Sequence, residues 1–381
     1  MKPIIIIGSG LAGYVLAKEF RKINKTVPLT IITDADGRFY SKPLLSSAFT
    51  HNRNIPELVT SSLEMMQEQL QAEIKANTKV MAIDSKNNQI QFCNEILEYD
   101  RLVLAVGAVP IQLPLRGNAV KQVYSVNNLQ DYEKFRLALK DKQKIGIIGC
   151  GLVGTEFSSD LMNGGYDVTV MAPVNTPVDR FLPKEIGEVV KAALGENGVN
   201  WVLERSVVAI NSVKDKLAVT LDNHEILEFD IILSAVGLKA NTELAKQAGI
   251  KINKAIVVNG FLQTNFENIY ALGDCAEVEG YVMQFVSPLM QCARALASTL
   301  AGEKTKVNYP VLPVILKTPS IPTVFYPPFA NPNGAWQIEG ENLNWKALFY
   351  DTQNQLQGFV VTGECLKEKM QYMKQIQPLF D

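Results

Sequence analysis

The stretch IIIIGSGLAG at Ile4–Gly13 returns as IGIIGCGLVG at Ile145–Gly154, and this repeat restricts the chain to few folds. Each copy follows a run of β-branched residues and precedes apolar residues at helical spacing, such as Leu11, Val15 and Leu16 in the first. Strand, tight turn and helix follow in that order. In G-x-G-x-x-G the first glycine makes the turn, the second lets backbone approach a pyrophosphate, and the third lets the helix pack on the sheet. Gly8, Gly10 and Gly13 fit this spacing, with Leu11 and Ala12 inside it, and so do Gly149, Gly151 and Gly154. Free N–H groups and the positive helix end favour an anion there by up to about 2 kcal/mol. Two copies predict two dinucleotides, one in each of two Rossmann-like domains of an α/β chain. Cys150, inside the second loop, reads as a small residue in a cramped turn, because no resolving cysteine lies near it in sequence.

A chain of 381 residues has room for about two or three domains with their own cores. Hydrophobic residues at 47% and charged residues at 20% are ordinary for a soluble protein, and no apolar run approaches a membrane span. The apolar start, Pro3 to Ile7, runs straight into the glycine loop and reads as a strand rather than a targeting segment, so a cytoplasmic location is expected. A net charge of −2 without a Lys/Arg cluster excludes nucleic acid as a bulk electrostatic partner. The cysteines Cys93, Cys150, Cys275, Cys292 and Cys365 are scattered, with no C-x-x-C and no metal-like spacing, so neither a structural disulfide nor a metal is expected. His51 and His224 stand in polar stretches and specify no chemistry alone.

A dinucleotide fold places an acidic residue about 20 residues beyond its glycines, to accept from a ribose hydroxyl. The first copy supplies Asp34 after the strand Leu29 to Thr33, with Asp36 as the alternative. The second copy ends its strand Asp167 to Met171 in Ala172-Pro173, with no carboxylate and no immediate arginine. Two further strand ends, LVLAVGAVP around Ala105 and IILSAVGLKAN around Gly237, finish in glycine turns that let backbone pass near a ligand. In IYALGDCAE a short strand leads to Gly273-Asp274, where the aspartate can accept from a sugar-alcohol chain; a plain turn is the alternative.

The order of these pieces resembles the two-dinucleotide-binding-domain flavoprotein reductases over essentially the whole chain. The resemblance implies an FAD domain at 1–111 and 238–310, interrupted by an NAD(P)H domain at 112–237 and followed by a small α+β interface domain at 311–381. It assigns Gly8, Gly10, Leu11, Ala12, Gly13, Asp34, Val80, Ala105, Gly237, Gly273 and Asp274 to cofactor binding, chiefly of FAD. Gly149, Gly151, Gly154 and Glu156 match the G-x-G-x-x-G-x-E of the NADH site. The C-terminal piece reads as strands around Leu343–Tyr350 and Leu356–Val361 and a helical Glu364–Ile376.

Members of this family with a redox cysteine carry it after the second strand, where this chain reads Arg38-Phe-Tyr-Ser-Lys-Pro-Leu-Leu-Ser46. With no thiol there, electrons must leave for an external acceptor. YSKPLLS and LKTPSIPT are most similar to the rubredoxin reductases, whose rubredoxin feeds an alkane hydroxylase in some members, and next to the [2Fe–2S] ferredoxin reductases of oxygenase systems. A flavin-binding signalling protein is the third reading. The resemblance places Lys42 near the flavin, paired with Glu156 or with the ring, and brings Lys317 in from the C-terminal domain. No side chain is required as an acid or base, since hydride passes between the cofactors. NADH preference, an acidic rubredoxin docking transiently on Arg38, Lys42 and Lys317, and a monomer or homodimer complete the expectation.

Overall fold

The protein is described from a computed structural model, over residues 2–329 and 332–379. It divides into two compact units. The first comprises Met1–Ser41, Pro56–Val109 and Leu238–Tyr309; the second comprises Lys42–Ile55, Pro110–Gly237 and Pro310–Asp381.

In the first unit, strand β1 (Ile4–Ile7) leads into helix α1 (Leu11–Ile23) and returns as β2 (Leu29–Ile32). All four isoleucines of β1 are buried, as expected of a strand covered on both faces. On α1 the residues Tyr14, Leu16, Ala17 and Phe20 form the buried stripe. The helix stops at Asn24, whose Oδ1 accepts from the N–H groups of Thr26 and Val27 and turns the chain back. Arg21 fixes that end by donating from Nη1 to the Val27 carbonyl at 2.9 Å. The sheet runs Ile269–Ala271, Arg101–Leu104, β1, β2, Glu73–Lys75, and every adjacent pair is parallel. A three-stranded antiparallel meander, Val80–Asp84, Gln89–Phe92 and Glu95–Glu98, is inserted before Arg101.

The second unit repeats this plan. Strand β3 (Lys144–Ile148), helix α2 (Leu152–Asn163), β4 (Asp167–Ala172) and β5 (Val199–Leu203) build a parallel sheet in the order β5, β4, β3, Ile231–Ser234. Its meander is Val207–Val213, Lys216–Leu221 and Ile226–Phe229. Both sheets have the Rossmann arrangement, with the glycine loop at the carboxyl end of the central strand.

The same unit carries a five-stranded antiparallel sheet ordered Val314–Leu316, Thr323–Tyr326, Leu356–Thr362, Asn344–Asp351, Gly334–Glu341. Two of these strands lie where the sequence places them. The expected helix at Glu364–Ile376 is a 3₁₀ stretch over Gly363–Glu368 followed by an α-helix over Lys369–Gln375. Tyr372 on this helix and Ile376 just past its end pack in one buried cluster with Phe359 and Val361 of the sheet.

Asp230 ties the second meander to the parallel sheet. It accepts from Lys216 Nζ at 2.6 Å and from the N–H groups of Lys144 and Gln143 at 2.8 and 3.1 Å. Burial by itself raises its pKa, but the lysine and the two N–H donors outweigh burial and hold it at about 2. A depressed carboxylate adds stability above the ordinary aspartate value of about 3.9 and loses it as pH falls towards 2. Asp230→Asn is therefore expected to lower Tm by roughly 2–4 °C near neutral pH, the change that about 1 kcal/mol makes in a domain of this size. It should also flatten the acid limb of a Tm-against-pH series between about pH 4 and 2.

Candidate functional site

The three glycines of the first loop do different work. Gly8 has φ +111°, and a Cβ there would lie 2.3 Å from the Ala105 carbonyl oxygen. A Cβ on Gly13 would lie 2.0 Å from the oxygen of Gly8, so α1 rests on the loop at a distance that only glycine permits. Gly10 is unlike both, because a Cβ built on it meets nothing within 4 Å of the protein. The space beside Gly10 is open, α1 has no acidic residue in its first turn, and Gly10 offers no side-chain cap. These are the conditions that an incoming pyrophosphate needs.

Gly273 (φ +77°) closes onto the same helix start, where its Cβ would be 2.8 Å from that of Ala12. The structure thus brings Gly8, Ala12, Gly13, Ala105 and Gly273 together, with Leu11 in the first turn of α1 and Asp274 directly after Gly273. Asp34 stands exposed at the end of β2, whereas Asp36, the alternative, is paired with Arg38 at 2.6 Å. Val80 opens the meander and is buried.

The second loop reproduces the pattern. A Cβ on Gly149 (φ +102°) would be 2.7 Å from Ala235 oxygen, one on Gly154 would be 2.1 Å from Gly149 oxygen, and one on Gly151 would meet nothing within 4 Å. Gly237 (φ +108°) turns the chain just beyond Ala235, and its carbonyl accepts from Ile111 N–H at 3.0 Å. Cys150 is 2% exposed, its thiol contacts Thr176 oxygen at 3.7 Å, and burial pushes its pKa up to about 12. It is a neutral packing group. All five cysteines are free thiols, and no cluster of metal-ligating side chains occurs among the described residues.

Glu156, one turn into α2, is 2% exposed and is matched by a cation. Its carboxylate accepts from Lys317 Nζ, from Lys317 N–H at 3.2 Å and from Ser46 Oγ at 2.7 Å. The sequence pointed to Lys42 as its partner, among alternatives; the structure gives Glu156 to Lys317, and Lys42 donates to Asn127 Oδ1 at 2.7 Å. One helical turn further, Asp160 is 1% exposed and accepts from the N–H groups of Phe49 and Thr50 at 3.2 and 2.8 Å. Burial raises its pKa against those hydrogen bonds. Arg136 lies 3.8 Å over the Phe49 ring. Two buried carboxylates at i and i+4 on one helix thus hold the segment Lys42–Ile55, which explains its place in the second unit. Sequence reasoning missed Ser46, Asn127 and Asp160; the Glu156 and Asp160 spacing on one apolar helix was the available signal.

The family pattern of the pyridine nucleotide-disulphide oxidoreductases matches residues 2–297, and that of the rubredoxin binding C-terminal domain matches residues 306–376. The chain belongs to the pyridine nucleotide-disulphide oxidoreductases. Members of this family use FAD and NAD(H). The chain is 42% identical to the rubredoxin-NAD(+) reductase of Alcanivorax borkumensis, with 99% of each chain covered. It is 41% identical to that of Acinetobacter baylyi, over 95% of this chain and 94% of the other. In fold it is similar to the putidaredoxin reductase–putidaredoxin covalent complex, with TM-score 0.89 over 98% of this chain and 93% of that one, at 22% identity. The two uncapped helix starts and the open space at Gly10 and Gly151 fit the dinucleotides of this oxidoreductase family.

Two experiments probe the site. Gly151→Ala adds a methyl group that touches no protein atom, so Tm should stay within about 1 °C while the KM for NADH rises about tenfold or more; Gly154→Ala drives a methyl group into the Gly149 carbonyl and should lower soluble yield and Tm together. Lys317→Met strips a buried carboxylate of its cation and should cost about 2 kcal/mol in urea unfolding. That is less than for a fully buried pair, because Lys317 stays 31% exposed. Adding Glu156→Gln should recover part of that loss.

Proposed function

We propose that this chain is an NADH-dependent rubredoxin reductase, passing electrons from NADH through FAD to rubredoxin one at a time. The observation that carries the reading is the match of residues 306–376 to the rubredoxin binding C-terminal domain. The full-length similarity to two rubredoxin-NAD(+) reductases supports it. FAD, when bound, accepts hydride from NADH and releases electrons singly, which suits a two-electron donor and a one-electron iron carrier.

The chain's own residues bind, orient and neutralise. The N–H groups at the start of α1 hold the FAD pyrophosphate, with Asp34 at the adenosine ribose and Asp274 at the ribityl chain. The start of α2 holds the pyrophosphate of NADH. The half-buried Lys317 ammonium balances the buried Glu156 carboxylate, so that carboxylate is not left uncompensated. The stretch Arg38–Ser46 contains no cysteine, so electrons pass to an external protein rather than to a thiol. Supply of an alkane hydroxylase through that rubredoxin, action in the cytoplasm, and a transient complex formed by a monomer or homodimer belong to the same proposal.

Of the cations proposed for docking, Arg38 is paired with Asp36, Lys317 with Glu156, and Lys42 is bonded to Asn127. Because the chain as a whole carries −2, steering of an acidic partner then rests on a local positive rim at the docking face rather than on net charge. Exposed charge is screened over about 8 Å at physiological ionic strength, so rubredoxin reduction should slow severalfold between low and physiological salt while NADH-to-flavin transfer stays constant. Stopped flow for the flavin and loss of oxidised rubredoxin colour separate the two rates. A [2Fe–2S] ferredoxin reduced faster than rubredoxin under matched conditions would replace this reading.

A further inference from the structure

The two glycine-loop domains agree well beyond their loops, and their backbone hydrogen bonds set a residue-by-residue correspondence. Gly8 N–H donates to Ile32 oxygen as Gly149 N–H donates to Met171 oxygen, both at 2.8 Å. Ala105 N–H donates to Ile7 oxygen and Ala235 N–H to Ile148 oxygen. At the far edge, Asn77 N–H donates to Ala35 oxygen and Thr78 N–H to Thr33 oxygen; in the second copy Glu204 N–H donates to Val174 oxygen and Arg205 N–H to Ala172 oxygen. Asn77 and Glu204 are both left-handed, with φ 51° and 57°. Three residues later each chain enters its meander, at Val80 and at Val207, and each meander begins with a register shift after that residue.

Under this correspondence Pro173 occupies the position of Asp34. The second copy has therefore lost the carboxylate at the end of its second strand, and proline has no N–H to offer in its place. The charged side chains that these backbone bonds fix beside that strand end come directly after the neighbouring strand β5: Glu204 and Arg205, both exposed. Glu204 is bonded to Val174, the residue after Pro173, and neighbouring strands are about 4.8 Å apart, a gap that a glutamate side chain can cover. Arg205 folds back along the same edge, donating from Nη1 to Glu204 oxygen at 2.7 Å.

We propose that Glu204 is the specificity-determining residue of the NADH site, receiving the hydroxyls of the adenosine ribose in place of the carboxylate that Pro173 cannot supply, with Arg205 held behind it. This rests on the NADH-dependent reading above. A carboxylate accepts from a 2′-hydroxyl and repels a 2′-phosphate, so Glu204 selects against the phosphorylated dinucleotide while Arg205 would favour it.

The test is calorimetric binding of ADP-ribose and of its 2′-phosphate to the oxidised holoenzyme, which requires no turnover. Glu204→Gln should weaken ADP-ribose about tenfold, equivalent to about 1.4 kcal/mol, and strengthen the 2′-phosphate form. Adding Arg205→Gln should abolish the gain for the 2′-phosphate form, and adding Pro173→Asp to Glu204→Gln should restore ADP-ribose binding, which a merely structural defect would not allow. ADP-ribose affinity within twofold of wild type in Glu204→Gln, or no recovery with Pro173→Asp, overturns the assignment. Failure of the underlying reading looks different: wild-type flavin would not bleach with NADH under anaerobic stopped flow.

Discussion

A carbonyl oxygen stands where the third glycine of each loop would carry a side chain, about 2 Å from the missing Cβ at Gly13 and at Gly154. That contact sets the height of the helix above its strand. Because the helix sits so low, its first N–H groups face the opening beside the second glycine, and the first glycine is pressed against the neighbouring strand end at Ala105 or Ala235. Any side chain at the third position would lift the helix and swing those donors away from an anion. Sheet, loop and helix are therefore one geometric object in each unit, which is why the motif tolerates Ser9 or Cys150 between its glycines but nothing bulkier at the first and third glycines themselves.

Helix α2 carries a second burden. Its amino end favours negative charge, yet its buried face holds two carboxylates of its own, and burying charge is costly unless each oxygen is occupied. The solution is to draw distant chain onto the helix: Ser46 and Lys317 on Glu156, and the Phe49 and Thr50 N–H groups on Asp160. The need of these carboxylates for donors thus organises a stretch of polypeptide that has little secondary structure of its own.

What could be read from the sequence follows from range. The glycine loops and the Gly273 turn are local patterns, each decided within a few residues, and the two apolar strands Asn344–Asp351 and Leu356–Thr362 announce themselves by composition. The strand Gly334–Glu341 did not, because it is a largely exposed edge rich in polar residues, and Val314–Leu316 is too short to show a period. The partner of Glu156 lies 161 positions away, so no local pattern chooses Lys317 over Lys42. The stretch 42–55 interrupts the first unit in sequence, but its hydrogen bonds are spent on α2. The correspondence of Pro173 with Asp34 needed the backbone bonds of both copies.

The attachment of Ser46 and Thr50 to α2 spans 110 positions in each case. At a synthesis rate of about 5–20 residues per second, these residues are added to the chain roughly 6–20 seconds before the carboxylates that will receive them. For most of that interval the Phe49 ring lacks Arg136, and throughout it lacks Gly164. The nascent chain must carry this stretch open until translation passes Asp160, so a ribosome stalled before that codon would display side chains such as Leu45 and Ala48 that the finished protein buries.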